Sequence, residues 1–359
     1  MPRLAKRVLL AALGLFVVAL VGLTVANAVE AARRDQQYVA DRLGPVEKAE
    51  LTEALTLKAS LGDEVWPGLA AADIPLILFN DRYEFLVGLP TAPAPWTVVE
   101  GDDFAGQAYF RRAGVEGQAF AIPVGDRWAG SLGQLERMNR EYLLGARQQL
   151  PPVLAQLFPY PFATLTRDMH VTLYLHEVFH AYQATVTPSK QARAEARHSL
   201  EKTYPYGDAA FAEAWNAEGR QLAAALRAPT DAATREGAKA FLDTRRARRQ
   251  AVGLSADLVA YESDLEWEEG LAKHVEMRFH EAAAARGLSG YPPGLPYWQQ
   301  ELARVDGQLG QQDGDYRFYL SGMAQARLLD RLAPGWTARA LAEDVSLEEL
   351  LAQAVDGAR

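Results

Sequence analysis

The sequence predicts an α+β protein, mostly helical, with a small antiparallel or mixed β region ahead of a large helical part and one apolar helix ahead of both. Three observations carry that expectation. Residues Val8 to Val29, "VLLAALGLFVVALVGLTVANAV", run without a charge. Between Ile74 and Trp128, short apolar runs alternate with clusters of Gly, Pro, Asn and Asp, the punctuation of strands and turns. Beyond Gly133, long stretches poor in Gly and Pro carry apolar residues at helical spacing. The chain is therefore expected to divide into a transmembrane anchor or signal peptide at 1–29, a helical stalk or packing arm at 30–72, a small β region at 73–130 and a helical region at 131–359.

The uncharged N-terminal run would span roughly 33 Å as a helix, enough for a bilayer core. Arg3, Lys6 and Arg7 precede it. By the positive-inside rule they keep the N-terminus in the cytoplasm and send the rest of the chain across. The sequence "ANA" at 26–28 has the small-x-small form of a signal cleavage site, so a secreted or periplasmic product is the competing reading. The run is longer than an ordinary signal core, which favours a single-pass anchor in the cell membrane. Both readings place the body of the chain on the extracytoplasmic side.

From Glu30 to about Leu61 the residues favour helix, which Gly44-Pro45 should end or kink, because proline lacks the amide hydrogen and fixes φ. "IPLILF", "YEFLVG", "QAYFRR" and "AFAIPVG" read as strands. Pro123 in the last of them argues for an edge strand or a bulge. Helices are expected over 163–186, 191–202, 208–227, 231–250, 256–286 and 316–332, and "YPPGLPYW" from Tyr291 to Trp298 as a loop.

With 359 residues, 49% apolar and 23% charged, the chain has an ordinary globular composition and room for one large domain or two small ones. A net charge of -9 argues against nucleic acid as a partner, since phosphate binding needs a clustered basic surface. The one basic run, "RRARR" from Arg245 to Arg249, reads as a solvated helix face, with an anionic contact as the alternative. Cysteine is absent, which removes disulfides, thiolate metal sites and a cysteine nucleophile. Any metal must be held by His, Asp or Glu.

Against that background "HEVFH" at 176–180 stands out. Residues four apart on a helix lie one turn above each other, so His176 and His180 can aim their imidazoles at one ion. Glu177, about 100° further round, would miss the ion and reach a water beside it, where a general base belongs. Zinc suits nitrogen ligands, and a catalytic site keeps three protein ligands and a water. The third ligand must come from elsewhere.

The distal stretch "YESDLEWEEGLAKHVEMRF" offers it. Here "EEGLAKHVE" resembles the second metal helix of the gluzincin metallopeptidases, in which the glutamate before Gly-x-Ala completes the zinc site. The resemblance implies Glu269 as the third Zn2+ ligand, with the glycine and alanine after it allowing close approach to the first helix. Glu262 and Glu266, on nearly the same face, and Glu218 in "NAEG" are the alternative carboxylates, and Glu262 or Glu266 could instead orient a histidine. "YRFYLSG" is similar to the Tyr-x-x-Gly element of the membrane alanyl aminopeptidases of the same broad group. That implies Tyr319 as the donor to the oxyanion of a tetrahedral intermediate, with Tyr316 one turn earlier as the alternative.

The implied fold is zincin-like, with an edge strand upstream of the first metal helix along which a substrate can add as a further strand. "AFAIPVG" is the candidate. The resemblance covers three short motifs within 176–322, and the long interval from His180 to Glu269 is read as carrying inserted helices. No Gly-x-Met-Glu-Asn signature is present, so recognition of a free N-terminus is not implied. His170, on another side of its helix, reads as structural, and His198, His274 and His280 as packing or surface residues. Trp66, Trp96, Trp128 and Trp267 read as core. The expected activity is that of a zinc-dependent peptidase acting on peptide or protein substrates and tied to the membrane by its N-terminal helix. The alternatives are a non-catalytic envelope-anchored binding module and a hydrolase of a non-peptide amide.

Overall fold

The computed structural model describes residues 3–34, 38–114, 117–148, 150–157, 164–291, 296–342 and 345–357. The protein is mostly helical with a small mixed sheet. The first elements in chain order are α1 (Arg3–Arg34), α2 (Pro45–Val65), β1 (Leu76–Phe79), β2 (Tyr83–Val87), β3 (Thr97–Val98), β4 (Phe110–Ala113), β5 (Phe120–Val124) and β6 (Arg127–Gly133). Then come α3 (Leu135–Gln148), α4 (Pro152–Leu157), α5 (Arg167–Val186), α6 (Pro188–Arg197), α7 (Ala209–Arg227), α8 (Asp231–Ala251) and α9 (Ala256–Leu265). A π turn at Glu266–Gly270 leads into α10 (Leu271–Ala285), followed by α11 (Pro296–Gln308), α12 (Tyr316–Leu332), α13 (Thr337–Ala340) and α14 (Leu347–Asp356).

Two compact units divide the chain. One comprises Met1–Lys48, Ile77–Gln118 and Leu132–His170. Its α1 contains Leu10–Val29, with a mean hydropathy of 2.3 and almost no burial, long and apolar enough to cross a membrane. A signal sequence has the same properties. The strands of this unit run in the order β3-β4-β2-β1, with β2 and β4 antiparallel from Tyr83 opposite Ala113 to Leu86 opposite Phe110. Between β1 and β2 the side chain of Asn80 accepts from the amides of Arg82 and Tyr83 at 2.9 and 2.8 Å, which closes the turn.

The other unit comprises Ala49–Leu76, Ala119–Ser131 and Val171–Arg359. Helix α2 begins at Pro45, so Gly44-Pro45 starts a helix where the sequence suggested the end or kinking of one. In the first turn of a helix the missing amide hydrogen has no bond to lose, and the fixed φ already suits the helix. Leu51, Ala54, Leu57, Leu61 and Val65 of α2 are buried at helical spacing. "AFAIPVG" forms the edge strand β5, as Pro123 indicated. It pairs with β6 in a hairpin from Phe120 opposite Ser131 to Val124 opposite Arg127. The two-residue turn between them places Gly125 at φ +65°, which favours glycine.

Strand β6, "RWAGSLG", was not anticipated, since its small residues have little strand preference. The packing explains them: a Cβ on Gly130 would come 2.9 Å from the amide nitrogen of Val178 and 3.0 Å from the carbonyl carbon of Glu177. Helix α5 thus lies against a strand stripped of side chain at that point. Val171, Tyr174, Leu175, Val178 and Phe179 of α5 are all buried. Each contributes about 1.5–3 kcal/mol by leaving water.

The expected helices over 208–227, 231–250 and 316–332 correspond to α7, α8 and α12. The helix expected at 163–186 begins at Arg167 in the structure, and residue 163 lies outside the described residues. The helix expected over 256–286 is interrupted by the π turn, whose extra residue shifts every following side chain round the axis. Of "YPPGLPYW", residues 292–295 lie outside the described residues, and α11 already begins at Pro296.

The "RRARR" run departs from its expected solvated face. Arg245 and Arg248 are buried, and only Arg246 keeps a well-exposed side chain among the run's arginines. Arg245 pairs with Glu266 at 2.5 and 2.7 Å and with Glu218 at 3.0 Å. Arg248 pairs with Glu262 at 2.7 and 2.9 Å and with Glu218. Arg249 bonds Glu262 at 2.7 Å and Glu348 at 2.9 Å. Charges this deep are tolerated only when each meets an opposite charge in good geometry.

Candidate metal centre

Helix α5 carries His176, Glu177 and His180, and the π turn carries Glu269, all buried. His176 Nε2 and His180 Nε2 lie 3.1 Å apart. Glu269 Oε2 lies 3.4 Å from the first and 3.2 Å from the second. These three atoms form a nearly equilateral triangle. A tetrahedral ion with bonds of 2.0–2.1 Å spaces its ligand atoms roughly 3.3 Å apart. The donor set of two imidazoles and one carboxylate therefore fits zinc in both chemistry and spacing.

Each imidazole has a polar side chain on its far side. Gln183, fully buried one turn along α5, donates from Nε2 to the carbonyls of Trp267 and Glu268 at 3.0 and 3.2 Å. Its Oε1 is therefore the atom 3.0 Å from His180 Nδ1, and that nitrogen must carry the hydrogen. Whenever that ring is neutral its Nε2, 3.1 Å from His176 Nε2 and 3.2 Å from Glu269 Oε2, is the nitrogen open to a cation. His176 Nδ1 lies 3.3 Å from Glu276 Oε2, a carboxylate two turns beyond Glu269, and Lys273 holds the other oxygen of Glu276 at 3.0 Å. Such partners fix ring orientation and raise ligand basicity.

Of the four carboxylates open to choice as third ligand, Glu269 is the one that meets the histidines. Glu218, Glu262 and Glu266 are engaged by Arg245, Arg248 and Arg249. Glu266 also accepts from Ser321 at 2.5 Å. Against the cost of burial, Arg248 and its neighbours hold Glu262 down at about 2. Its role is thus in the ion-pair network, and neither Glu262 nor Glu266 orients a histidine.

Glu177 is buried, and its Oε2 has no hydrogen-bond partner among the described residues. Burial pushes its carboxyl up to about 8, with Glu269 and Glu276 adding to the rise and His176 opposing it. Burial disfavours charge on His176, but the carboxylates of Glu269 and Glu276 beside it prevail and raise it to about 10. Glu269 also pays for burial, yet the neighbouring His180 and His176 hold it well below the usual carboxylate range. The centre thus brings two carboxylates to the imidazoles and leaves Oε2 of a third, Glu177, without a hydrogen-bond partner among the described residues.

Tyr319 of α12 reaches this centre. Its ring stacks on that of His176 at 5.9 Å with 12° between planes. Burial and Glu269 raise the phenol well above its ordinary value, so it remains a donor. Tyr316 instead donates to Glu301 at 3.1 Å. The glycines of the two distal motifs pack on each other: a Cβ on Gly270 would lie 2.5 Å from Gly322 Cα. The close approach allowed by the Gly-x-Ala glycine is therefore to the tyrosine helix, not to α5. On the other side, Phe120 of the edge strand β5 lies over His180, ring centroids 4.6 Å apart.

His198 differs from its expected packing or surface role. It bonds Glu268 at 2.9 Å and lies 3.4 Å from Asp315, and these two carboxylates, Asp315 first, raise it to about 10. With Glu268 and Glu269 it forms a second acid and histidine group, but Glu268 is already bonded by His198 and by Gln191 at 2.5 Å. His170 bonds the carbonyl of Gly133 at 2.8 Å, and His274 and His280 pack against Trp336 and Tyr291. Trp66, Trp96 and Trp267 are buried, whereas Trp128 is only half-buried on the hairpin.

Sequence reasoning did not single out Gln183, Glu276, Phe120 or Glu268. For Glu276 a signal existed in its spacing of two turns from Glu269, which repeats one helix face.

No family model, curated protein or solved structure matches the chain. What bears on function is the chemistry of the centre itself.

Proposed function

We propose that this chain is a zinc-dependent peptidase, anchored in the cytoplasmic membrane or exported across it, that hydrolyses peptide bonds on the extracytoplasmic side. The observation that supports it most is the triangle of His176 Nε2, His180 Nε2 and Glu269 Oε2 with edges of 3.1, 3.2 and 3.4 Å. The unpaired Glu177 beside it adds the group that binding alone would not need. Zinc held by these three residues would polarise a peptide carbonyl and bring the pKa of a water toward neutrality.

Glu177 then takes the proton from the attacking water and returns it to the leaving amine nitrogen. Tyr319 donates a hydrogen bond to the carbonyl oxygen as it gains charge. An extended peptide is accommodated along the free edge of β5, where backbone groups can pair with it and Phe120 supplies an apolar wall beside His180.

The test compares the full-length protein with Glu177→Gln for zinc content by elemental analysis and for cleavage of a quenched-fluorescence peptide library. The reading expects one zinc in each and cleavage in the wild type alone. Equal cleavage by both proteins would remove Glu177 from the mechanism. Zinc in both with cleavage in neither would favour an anchored binding module.

A further inference from the structure

We infer that Gln183 is a positioning residue for the metal centre: it locks the tautomer of His180 and ties the HExxH helix to the π turn that presents Glu269. The inference rests on the metal reading above, and it concerns a residue outside the three motifs.

The geometry leaves Gln183 no choice of orientation. Its side chain is fully buried, so each polar atom must find its partner within the protein. Two backbone carbonyls, of Trp267 and Glu268, lie 3.0 and 3.2 Å from one end, and carbonyls only accept. That end is the amide nitrogen. The other end is the oxygen, 3.0 Å from His180 Nδ1, and an oxygen acceptor requires a hydrogen on that nitrogen. A neutral imidazole has one N–H, so Nε2, turned toward His176 and Glu269, is left with its lone pair. Without Gln183 the proton could occupy either nitrogen, and the form protonated at Nε2 cannot bind a cation there.

The second half of the role lies in the two carbonyls. Trp267 and Glu268 belong to the π turn and directly precede Glu269. A π turn inserts one residue into the helix and so sets the direction in which the side chains after it point. One amide group therefore sets both a ligand's protonation and the height at which the third ligand stands, from a single helix position three residues after His180.

Two substitutions separate these parts. Gln183→Met keeps the size and removes both interactions, while Gln183→Glu keeps an acceptor for His180 Nδ1 and loses the two donors to the turn. In metal-free protein, nitrogen NMR of the six histidines reports the tautomer of His180. Zinc affinity is measured by competition with a chromophoric chelator. Gln183→Met is expected to lose the Nδ1–H form and to bind zinc roughly 10–100-fold more weakly. Gln183→Glu is expected to keep that form and still bind more weakly, which also serves if the methionine variant does not fold. Wild-type affinity in a folded Gln183→Met, or in Gln183→Glu, overturns the proposal. Should the wild type bind no zinc, the metal reading fails by itself. The tautomer comparison then still decides the claim about His180, and an unchanged Nδ1–H form in Gln183→Met refutes it.

Discussion

Replacing Gly270 by alanine tests whether the two distal motifs work as one packed unit. The added Cβ would stand 2.5 Å from Gly322 Cα, 2.9 Å from its carbonyl carbon and 3.1 Å from Met323 N. Carbon atoms rest at about 3.5–4.0 Å, so the π turn and α12 must separate by about 1 Å or more. Backbone stands on both sides of the contact, and no flexible side chain can yield. Overpacking of this kind costs about 1–3 kcal/mol. The larger consequence falls on the neighbour: Glu269 Oε2 sits 3.2–3.4 Å from its two histidine partners. Metal–ligand distances tolerate only about 0.2 Å, so a shift of about 1 Å should weaken zinc binding by at least about tenfold. Urea unfolding gives the first quantity and chelator competition the second. Gly145→Ala in α3, where nothing lies within 4 Å, is the control and should gain about 0.5–1 kcal/mol from helix preference. If Gly270→Ala kept wild-type stability and zinc affinity, the packing of the two motif glycines would be irrelevant to the centre.

Three other outcomes follow from the same structure. On the proposed peptidase reading, Tyr319→Phe should lower kcat by roughly 100-fold while leaving zinc content unchanged, as expected for loss of one oxyanion donor, and an unaltered kcat would exclude that role. Arg245→Met should cost about 3–5 kcal/mol in urea unfolding, because Glu218 and Glu266 lose a buried partner, and adding Glu266→Gln should restore part of it. Glu262 is held at about 2, below its unfolded value of 4.5, so its ion pairs stabilise the fold fully above about pH 4.5 and progressively less as pH falls toward about 2. The stability difference between wild type and Glu262→Gln should shrink over that window, and a difference independent of pH would contradict the assignment.

Local pattern was enough to read much of this chain. The four-residue interval between His176 and His180 fixes their shared face on any helix, and α5 is that helix. The ends of α7, α8 and α12 are marked by caps, turn residues and breaks in apolar spacing, all short-range properties. Pro123 announced an edge strand because the donor it lacks is a property of the residue itself. Strand β6 was hidden because its small residues make sense only with α5 lying across them.

The choice among the glutamates shows where such reading stops. Glu218, Glu262, Glu266 and Glu269 differ little as neighbours in sequence, and their fates depend on where Arg245 and Arg248 come to lie. Those arginines looked like a solvated face, since an i, i+3 pair on a polar helix gives no sign of what another helix will place against it. By itself, then, the sequence determined α7, α8 and α12, the apolar N-terminal segment and the paired histidines with their intervening glutamate, because each is written within a few turns of chain. Only the tertiary structure decided which carboxylate meets the imidazoles, that Gln183 and Glu276 stand beside them, and that Gly270 packs on Gly322 in the helix that carries Tyr319. Those outcomes are set by contacts between residues tens of positions apart, where burial makes every charge and hydrogen-bonding group find a partner that local spacing does not name.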